Sequence, residues 1–346
     1  MASISENRPS FQNLDPDSDH AKKIKSVLQT ANWDYLCAKA VVLRQQGQPH
    51  VYGTRTCSVD ARKFASGFYN MVVALTFSDS VQWVARIALP REGESADMYR
   101  SLMSEVATMN LIRTRTTIPV AEVFAYGFPT EDFGFAYILM EALPGKILDN
   151  RIALSVPDQH MRDFATQLAN YVYELSTIQF SKIGRIMPSD SSEGVELSSS
   201  SIAGSGNRIL STSLEFFYHL RKEQTKAILE GHKNEQQWEA AAWFLEKTLT
   251  SMITEEHIYG PFPLSHLDLH YGNILVDENY RITGILDWSC AQTVPIERFA
   301  ICPELIAPPA APVEFKQAVF DFRDMFLEEL EKIETERDRA SPAIRM

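Results

Sequence analysis

Three polar residues in the last third of the chain have the types and spacing needed for chemistry: Asp268, Asn273 and Asp287. Asp268 and Asn273 precede a short apolar run at residues 274–276, and Asp287 ends a second apolar run at residues 282–286. Two such runs separated by a polar turn predict a β-hairpin. Because antiparallel pairing places the start of one strand beside the end of the next, we expect Asp287 to lie near Asn273.

Oxygen atoms from carboxylates and amides are the ligands that Mg²⁺ prefers, usually together with substrate phosphates. The spacing His266-x-Asp268-x-x-x-x-Asn273 also has the form of a kinase catalytic loop, in which the Asp accepts a hydroxyl proton and the Asn holds metal. Asp287 then corresponds to the second metal-binding residue. The alternative is a surface hairpin whose Asp and Asn residues serve local turns. The complete string in its predicted context favours the site over the turn.

The sequence around these residues resembles that of one protein family. His-Leu-Asp-Leu-His-Tyr-Gly-Asn-Ile-Leu-Val-Asp at 266–277, followed by Ile-Leu-Asp-Trp at 285–288, is similar to the aminoglycoside phosphotransferase and choline kinase-like family, especially its fungal members. The resemblance implies an α+β, bilobal protein-kinase-like fold with a β-rich N-lobe and a mainly helical C-lobe. It also implies an ATP- and Mg²⁺-dependent phosphotransferase that acts on a hydroxyl of a small molecule. Leu267 and Tyr271 depart from the family's usual Gly and Pro.

Upstream, residues 63–77 and 81–90 have the β-strand pattern expected of the N-lobe. By resemblance, Ser66 and Gly67 form the turn that covers the nucleotide phosphates, although an ordinary hairpin turn has the same appearance. Arg86 stands where the family has a lysine that contacts the α- and β-phosphates. A guanidinium also binds phosphate but differs in shape and cannot lose its charge. The alternative is a strand arginine that reaches to water.

An amphipathic helix is predicted at about residues 96–115, with Glu105 beside its apolar stripe. The resemblance pairs Glu105 with Arg86, whereas without Arg86 it would be a solvated helix carboxylate. After two strands near 120–128 and 135–140, Pro144 and Gly145 mark a linker. By resemblance, the backbone of Glu141 and Leu143 would bind adenine.

The expected organisation is a flexible tail at residues 1–20, an N-lobe at 21–143 and a C-lobe at 144–346. Three amphipathic stripes predict helices in the C-lobe, and we expect all three to be core-facing. Ser-rich residues 188–207 are predicted to be a flexible loop. The stripes include Met161 to Ile178, Trp238 to Met252 and Phe315 to Ile333.

Composition and net charge limit the classes of function that fit this chain. The 346 residues have a net charge of −12, which argues against a nucleic-acid-binding surface. The same charge would attract a cationic acceptor, although an acidic surface also keeps proteins dispersed. The four dispersed cysteines indicate free thiols, and the absence of a signal core or a membrane-length apolar run predicts a cytoplasmic location without a membrane partner.

Two alternatives to a small-molecule phosphotransferase remain. A kinase-shaped module that binds nucleotide or ligand with weak or no turnover would fit Arg86 and the single glycine of the predicted phosphate turn. A protein kinase is disfavoured, because Cys302-Pro303-Glu304 comes only 15 positions after Asp287 and Asp287-Trp288-Ser289 is not Asp-Phe-Gly.

Overall fold

The computed structural model describes residues 15, 17–47, 55–91, 95–190, 194–200, 208–233, 235–301 and 313–340. The helices of this part are α1 Asp19–Thr30, α2 Trp33–Gly47, α3 Ser95–Arg115, α4 Ile152–Ser155, α5 Asp158–Thr177, α6 Ser213–Gly231, α7 Gln236–Lys247, α8 Ile296–Phe299 and α9 Val313–Ala340. The strands are β1 Cys57–Ser66, β2 Asn70–Phe77, β3 Gln82–Ala88, β4 Val123–Gly127, β5 Tyr137–Glu141, β6 Lys146–Ile147, β7 Gln179–Phe180, β8 Arg185–Pro188, β9 Val195–Ser198, β10 Phe262–Ser265, β11 Ile274–Val276, β12 Ile282–Ile285 and β13 Gln292–Thr293.

A five-stranded sheet occupies the N-terminal part, with strand order β1-β2-β3-β5-β4 and antiparallel neighbours throughout. Burial alternates along β2 and β3, as expected where successive side chains point to opposite faces. On β3, Trp83, Ala85 and Ile87 are buried on one face. Arg86 therefore lies on the other face, as the sequence predicted.

Helices α1 and α2 cover the first face of this sheet. Ile24, Val27 and Leu36 are fully buried there, in one cluster with the inward side chains of β2 and β3. An ion pair holds α2 against the turn between β2 and β3. The two terminal nitrogens of Arg44 donate to the two carboxylate oxygens of Asp79, each over 2.6 Å. A fork-to-fork pair of this kind fixes orientation as well as charge.

Helix α3 packs under the opposite face. Leu102 and Val106 are buried against Ala136 and Ile138, so one turn of α3 lies directly below β5. Glu105 is on the same side of the helix and is also buried. The sheet and α3 therefore bring Arg86 and Glu105 to one cleft.

The C-terminal part is mainly helical, with α5 packed along α9 through Phe164, Phe322 and Phe326. The predicted hairpin is present: β11 pairs antiparallel with β12, with Ile274 opposite Ile285. β6 pairs with the other edge of β11. This small sheet fixes both ends of the segment that carries the candidate site.

The linker between the two parts is closely packed. The hydroxyl of Thr283 on β12 donates to the carbonyl of Pro144 over 2.6 Å. Gly145 has φ +114, and a Cβ there would lie 2.7 Å from the carbonyl oxygen of Val276. The predicted boundary between the N-lobe and the C-lobe, at residues 143/144, falls at this linker and stays a prediction. Most of the predicted tail at residues 1–20 lies outside the described residues.

Two expectations were wrong. Part of the predicted flexible loop at 188–207 is strand β9, which pairs with β8 and packs Val195 and Leu197 on the C-terminal core. The apolar alternation of those two residues was hidden by the surrounding serines. The stripe from Trp238 to Met252 is not a core stripe throughout, because those two side chains are 38% and 51% exposed.

No helix in the described part of the chain is both long and apolar enough to cross a bilayer. Cys37, Cys57 and Cys290 are free thiols, while Cys302 lies outside the described residues.

Candidate active site

Arg86 is at the centre of the cluster in the cleft. Its Nη2 atom donates to Oε2 of Glu105, and its Nη1 atom donates to Oδ1 of Asp287 over 3.2 Å. The three residues come from β3, α3 and the end of β12, so one guanidinium connects the sheet, the helix and the C-terminal hairpin. The predicted pairing of Arg86 with Glu105 is therefore present in the structure.

Burial and charge act in opposite directions on the two carboxylates. Glu105 is so well buried that its pKa rises to about 7, although the charge of Arg86 acts to lower it. Burial also opposes the charged form of Asp287, but Arg86 and a hydrogen bond from Ser289 outweigh it and hold the pKa of Asp287 below its usual value. Asp287 is thus anionic at neutral pH and able to hold a cation.

Asp287 is held in place by its own local geometry. Its backbone is in the left-handed region, with φ +58, directly after β12 ends. Asp and Asn are the side chains other than Gly that most readily adopt this conformation. The hydroxyl of Ser289 donates to Oδ1 over 2.7 Å and orients the carboxylate. Ser289 was not among the predicted site residues, although its position two residues after Asp287 is typical of a local side-chain cap.

His266 stabilises the loop that carries Asp268. The ring is buried, and burial holds its pKa below the usual value, so it is neutral at pH 7. Nδ1 accepts from the backbone N–H of Asp268 over 3.3 Å, and Nε2 donates to the carbonyl of Leu286 over 2.8 Å. One imidazole therefore ties the residue before Asp287 to Asp268, which explains its place in the motif.

Asp268 and Asn273 are joined directly. The side-chain amide of Asn273 donates through Nδ2 to the backbone carbonyl of Asp268 over 2.9 Å. The backbone N–H of Gly272 donates to Nδ1 of His270, and Nε2 of this ring lies 3.3 Å from Nδ2 of Asn273. The same Nε2 lies 3.9 Å from Oδ1 of Asp268, whose side chain is about half exposed. Asp268 thus has an exposed carboxylate on a fixed backbone.

The donor set of this loop fits Mg²⁺. Because Nδ2 of Asn273 is used in the loop, its Oδ1 is the amide atom left to hold a cation. Asn273 is next to the end of β12, since the N–H of Leu286 donates to its carbonyl over 2.8 Å. One carboxylate and one amide oxygen are a sparse protein shell, as expected for an ion that also binds substrate phosphates.

Leu267 keeps the loop shape that glycine would allow. Its φ is +62, a conformation that costs a non-glycine residue about 1–2 kcal/mol. The side chain packs partly buried against the cluster containing Phe216 and Phe262. This contact offsets the strain and links the loop of Asp268 to α6.

The remaining predicted residues do not join this cluster through their side chains. The hydroxyl of Ser66 lies 3.4 Å from Nε2 of His20 on α1, and Gly67 closes the β1–β2 turn by donating its N–H to Asn70. The carboxylate of Glu141 faces Arg113, and Leu143 packs on the C-terminal core. Any contact of these residues with a nucleotide stays a prediction.

Comparison with known proteins finds a match to one protein family. Residues 60–327 match the sequence model of the phosphotransferase enzyme family. The clavilactone A biosynthesis cluster protein Y of Ampulloclitocybe clavipes is 28% identical over 63% of this chain and 57% of its own length. A subtelomeric hrmA-associated cluster protein of Aspergillus fumigatus is 34% identical over 37% of this chain and 24% of its own length. The chain thus spans about half or less of the length of these relatives.

A solved structure supports the fold. A crystal structure described as a putative aminoglycoside phosphotransferase from Ralstonia eutropha is similar, with TM-score 0.50 and 14% identity, covering 85% of this chain and 80% of its own. At this identity the likeness bears on architecture alone. The predicted α+β, bilobal kinase-like fold, with a β-rich N-lobe and a mainly helical C-lobe, is confirmed.

Proposed function

Because the chain belongs to the phosphotransferase enzyme family, we propose that it transfers the terminal phosphoryl group of ATP to a hydroxyl of a small molecule. The observation that carries this proposal is the junction at Arg86, which connects the sheet to Glu105 and to Asp287 in one cleft. A cation on the strand, a helix carboxylate and a metal-binding aspartate are the recurring parts of kinase sites.

In the proposed reaction Asp268 orients the acceptor hydroxyl and takes its proton. The amide of Asn273 and the neutral ring of His266 fix the backbone on which Asp268 stands. Arg86 balances phosphate charge, and Glu105 holds the guanidinium in place. Asn273 and Asp287 would hold Mg²⁺, which supplies charge neutralisation when bound. Positioning and charge stabilisation carry most of the acceleration, because the transfer needs little covalent help.

The first experiment measures Mg-ATP stabilisation and ATP turnover of the full chain. We expect Mg-ATP to raise the melting temperature of the wild type and to do so much less for Asp287→Ala. The matched control is Asp324→Asn, an exposed aspartate on α9. Equal stabilisation of wild type and Asp287→Ala would show that Asp287 is not a metal ligand.

The second experiment identifies the acceptor by a metabolite screen for products that gain a phosphoryl group. Asp268→Asn should lower kcat by about 10²–10⁴-fold, the usual range for general-base catalysis, while the affinity for ATP is retained. Product formation by the variant at the wild-type rate would remove Asp268 from its proposed role.

A binding protein without turnover is the second candidate. The observation that favours it is the bond between Arg86 and Asp287, since Arg86 competes with a metal ion for Oδ1. Mg-ATP binding without hydrolysis or transfer across a broad set of hydroxyl compounds would decide for this candidate.

A further inference from the structure

A hydrogen bond from the C-terminal hairpin holds the linker, residues 142–145, which joins β5 to β6. The hydroxyl of Thr283 on β12 donates to the carbonyl of Pro144 over 2.6 Å. β6 then pairs with β11, the other strand of the same hairpin. Both the linker and the strand after it are therefore attached to the hairpin that leads to Asp287.

Two glycines allow the linker to approach this hairpin closely. A Cβ on Gly145 would lie 2.7 Å from the carbonyl oxygen of Val276, so the linker backbone lies directly against β11. A Cβ on Gly284 of β12 would lie 2.8 Å from Cδ1 of Leu143, so the absence of a side chain there makes room for Leu143. Contacts of the backbone and of one side chain thus seat the linker on both strands of the hairpin.

The N-terminal sheet extends these contacts to Arg86. Strand β5, which ends at the linker, pairs with β3 from Tyr137 to Glu141. Arg86 is on β3, opposite Ile138 of β5. Its Nη1 atom donates to Oδ1 of Asp287 over 3.2 Å, across the cleft. The contacts therefore form a closed circuit, which runs from Arg86 through β3, β5, the linker and β12 to Asp287 and back to Arg86.

Strand pairing fixes most of this circuit, but the linker lies between strands and depends on its contacts with the hairpin. β12 holds the linker at Thr283 and leads to Asp287 four residues later, about 13 Å away at the usual strand rise. On the other side, β5 leads from the linker back to the strand that carries Arg86. A change in the angle of the linker would therefore change the distance between Arg86 and Asp287.

We propose that Thr283 is a positioning residue whose bond to Pro144 sets the angle between the two parts of the chain, and hence the place of Arg86 relative to Asp287. This inference rests on the proposed phosphotransferase function, in which Arg86 contacts phosphate and Asp287 holds Mg²⁺. A Mg-nucleotide bound by both residues requires them at one spacing, and a misplacement of about 1 Å can cost about 10²-fold in rate. A purely local bond would instead have the same effect on ligand binding whether Arg86 is present or not.

A double-mutant cycle on the full chain, measured as the dissociation constant of Mg-ADP by calorimetry, tests this role. Thr283→Val keeps the shape of the side chain and removes the hydroxyl donor. We expect it to weaken Mg-ADP binding by about fivefold, which corresponds to one net hydrogen bond. In the Arg86→Gln background the same change should alter the affinity by less than about twofold, because the group that the linker positions is gone.

Thr335→Val on α9 is the matched control, because it removes a similar hydroxyl bond, to the carbonyl of Glu331 over 2.8 Å. It should change the Mg-ADP affinity in neither background, and Thr283→Ser, which keeps the donor, should restore that affinity to within about twofold. Unchanged circular dichroism shows that the variants are folded. Equal weakening by Thr283→Val with and without Arg86 would assign the bond to local structure and overturn the proposal. An unchanged affinity of Thr283→Val alone would also overturn it.

Turnover measured on the same proteins separates this inference from the proposed function. With both correct, Thr283→Val should lower kcat by about tenfold, while Thr283→Ser should leave it within about twofold of wild type. If the cycle shows the expected coupling and the wild type neither hydrolyses ATP nor transfers phosphate, the proposed function fails and the positioning role is retained. If the wild type transfers phosphate and the two changes are additive, the positioning role fails and the function is retained.

Discussion

At the residue scale, the fork of Arg86 contacts both neighbouring carboxylates. One nitrogen contacts Glu105 and the other contacts Asp287, a geometry that a lysine ammonium cannot reproduce with a single nitrogen. The sequence predicts that Arg86 stands where the family has a lysine. Its Nη1 atom also contacts Oδ1 of Asp287, one of the two carboxylate oxygens that could bind a metal ion.

Glu105 should make the stability of the protein depend on pH. Its folded pKa of about 7 is above the 4.5 of an unperturbed glutamate, so the folded state binds more protons between these values. The stability from the protonated form is fully present below pH 4.5 and is lost as pH rises through 7. We expect the free energy of unfolding of wild type, relative to Glu105→Gln, to fall by about 3 kcal/mol from pH 4 to pH 8.

Chemical denaturation of both proteins across this range provides the measurement, and subtracting the variant removes the titration of all other groups. Parallel curves for wild type and Glu105→Gln would mean that Glu105 is ionised at every pH tested and that the bond from Arg86 overcomes burial.

Replacing Arg86 by lysine should change the requirement for metal. Arg86→Lys keeps the positive charge but leaves Asp287 Oδ1 with fewer competing donors, so Mg²⁺ in the presence of ADP should bind about threefold more tightly, a gain of under 1 kcal/mol. Titrating Mg²⁺ against the ADP-bound protein measures this constant. Ser289→Ala is the matched comparison, because Ser289 donates to the same oxygen. Weaker Mg²⁺ binding in Arg86→Lys would show that Arg86 assists the metal site.

At the element scale, sequence patterns predicted the features that depend on residues close together in the chain. The hairpin of β11 and β12 followed from two apolar runs and a polar turn, and the alternation along β3 located Arg86. Strand β8 offered no such signal, since it reaches α3 only through tertiary packing. Trp238 was misjudged for the same reason: periodicity marks a face of a helix, but the neighbours decide whether that face is covered.

Two glycines that flank strands, Gly67 after β1 and Gly145 before β6, should respond differently to alanine. Gly145 has φ +114 and no room for a Cβ, so Gly145→Ala should cost about 2–4 kcal/mol of unfolding free energy through strain and displacement of β11. Gly67 would have nothing within 4 Å of an added Cβ, so Gly67→Ala should leave stability within about 0.5 kcal/mol. Urea denaturation measures both.

Gly67→Ala has a second expected effect. If the β1–β2 turn covers the nucleotide phosphates, the added methyl group keeps its backbone away from them, and the KM for ATP should rise severalfold. An unchanged KM for Gly67→Ala would show that this turn is an ordinary hairpin. For the linker, equal stabilities of Gly145→Ala and wild type would contradict the close packing around Gly145.

At the scale of the whole molecule, the family match and the folded unit have different limits. The match covers residues 60–327, yet α1 and α2 lie before it and α9 continues beyond it to Ala340. Ile333 is buried after the end of the match, and Glu329 binds Arg162 of α5 over 2.6 Å. The flanking helices therefore complete both cores.

A chain restricted to residues 60–327 should fail to fold. Ile24, Val27 and Leu36 are fully buried on the sheet, and each side chain of this kind contributes about 1.5–3 kcal/mol, so their loss alone costs about 5–9 kcal/mol. That is comparable to the whole stability of a domain, about 5–15 kcal/mol. Expression with circular dichroism and thermal melting measures the outcome against a control that lacks residues 1–14, whose removal leaves these contacts in place. A cooperative melt of the 60–327 chain near the full-length temperature would show that α1 and α2 are accessory, and the site would then be built by the matched segment alone.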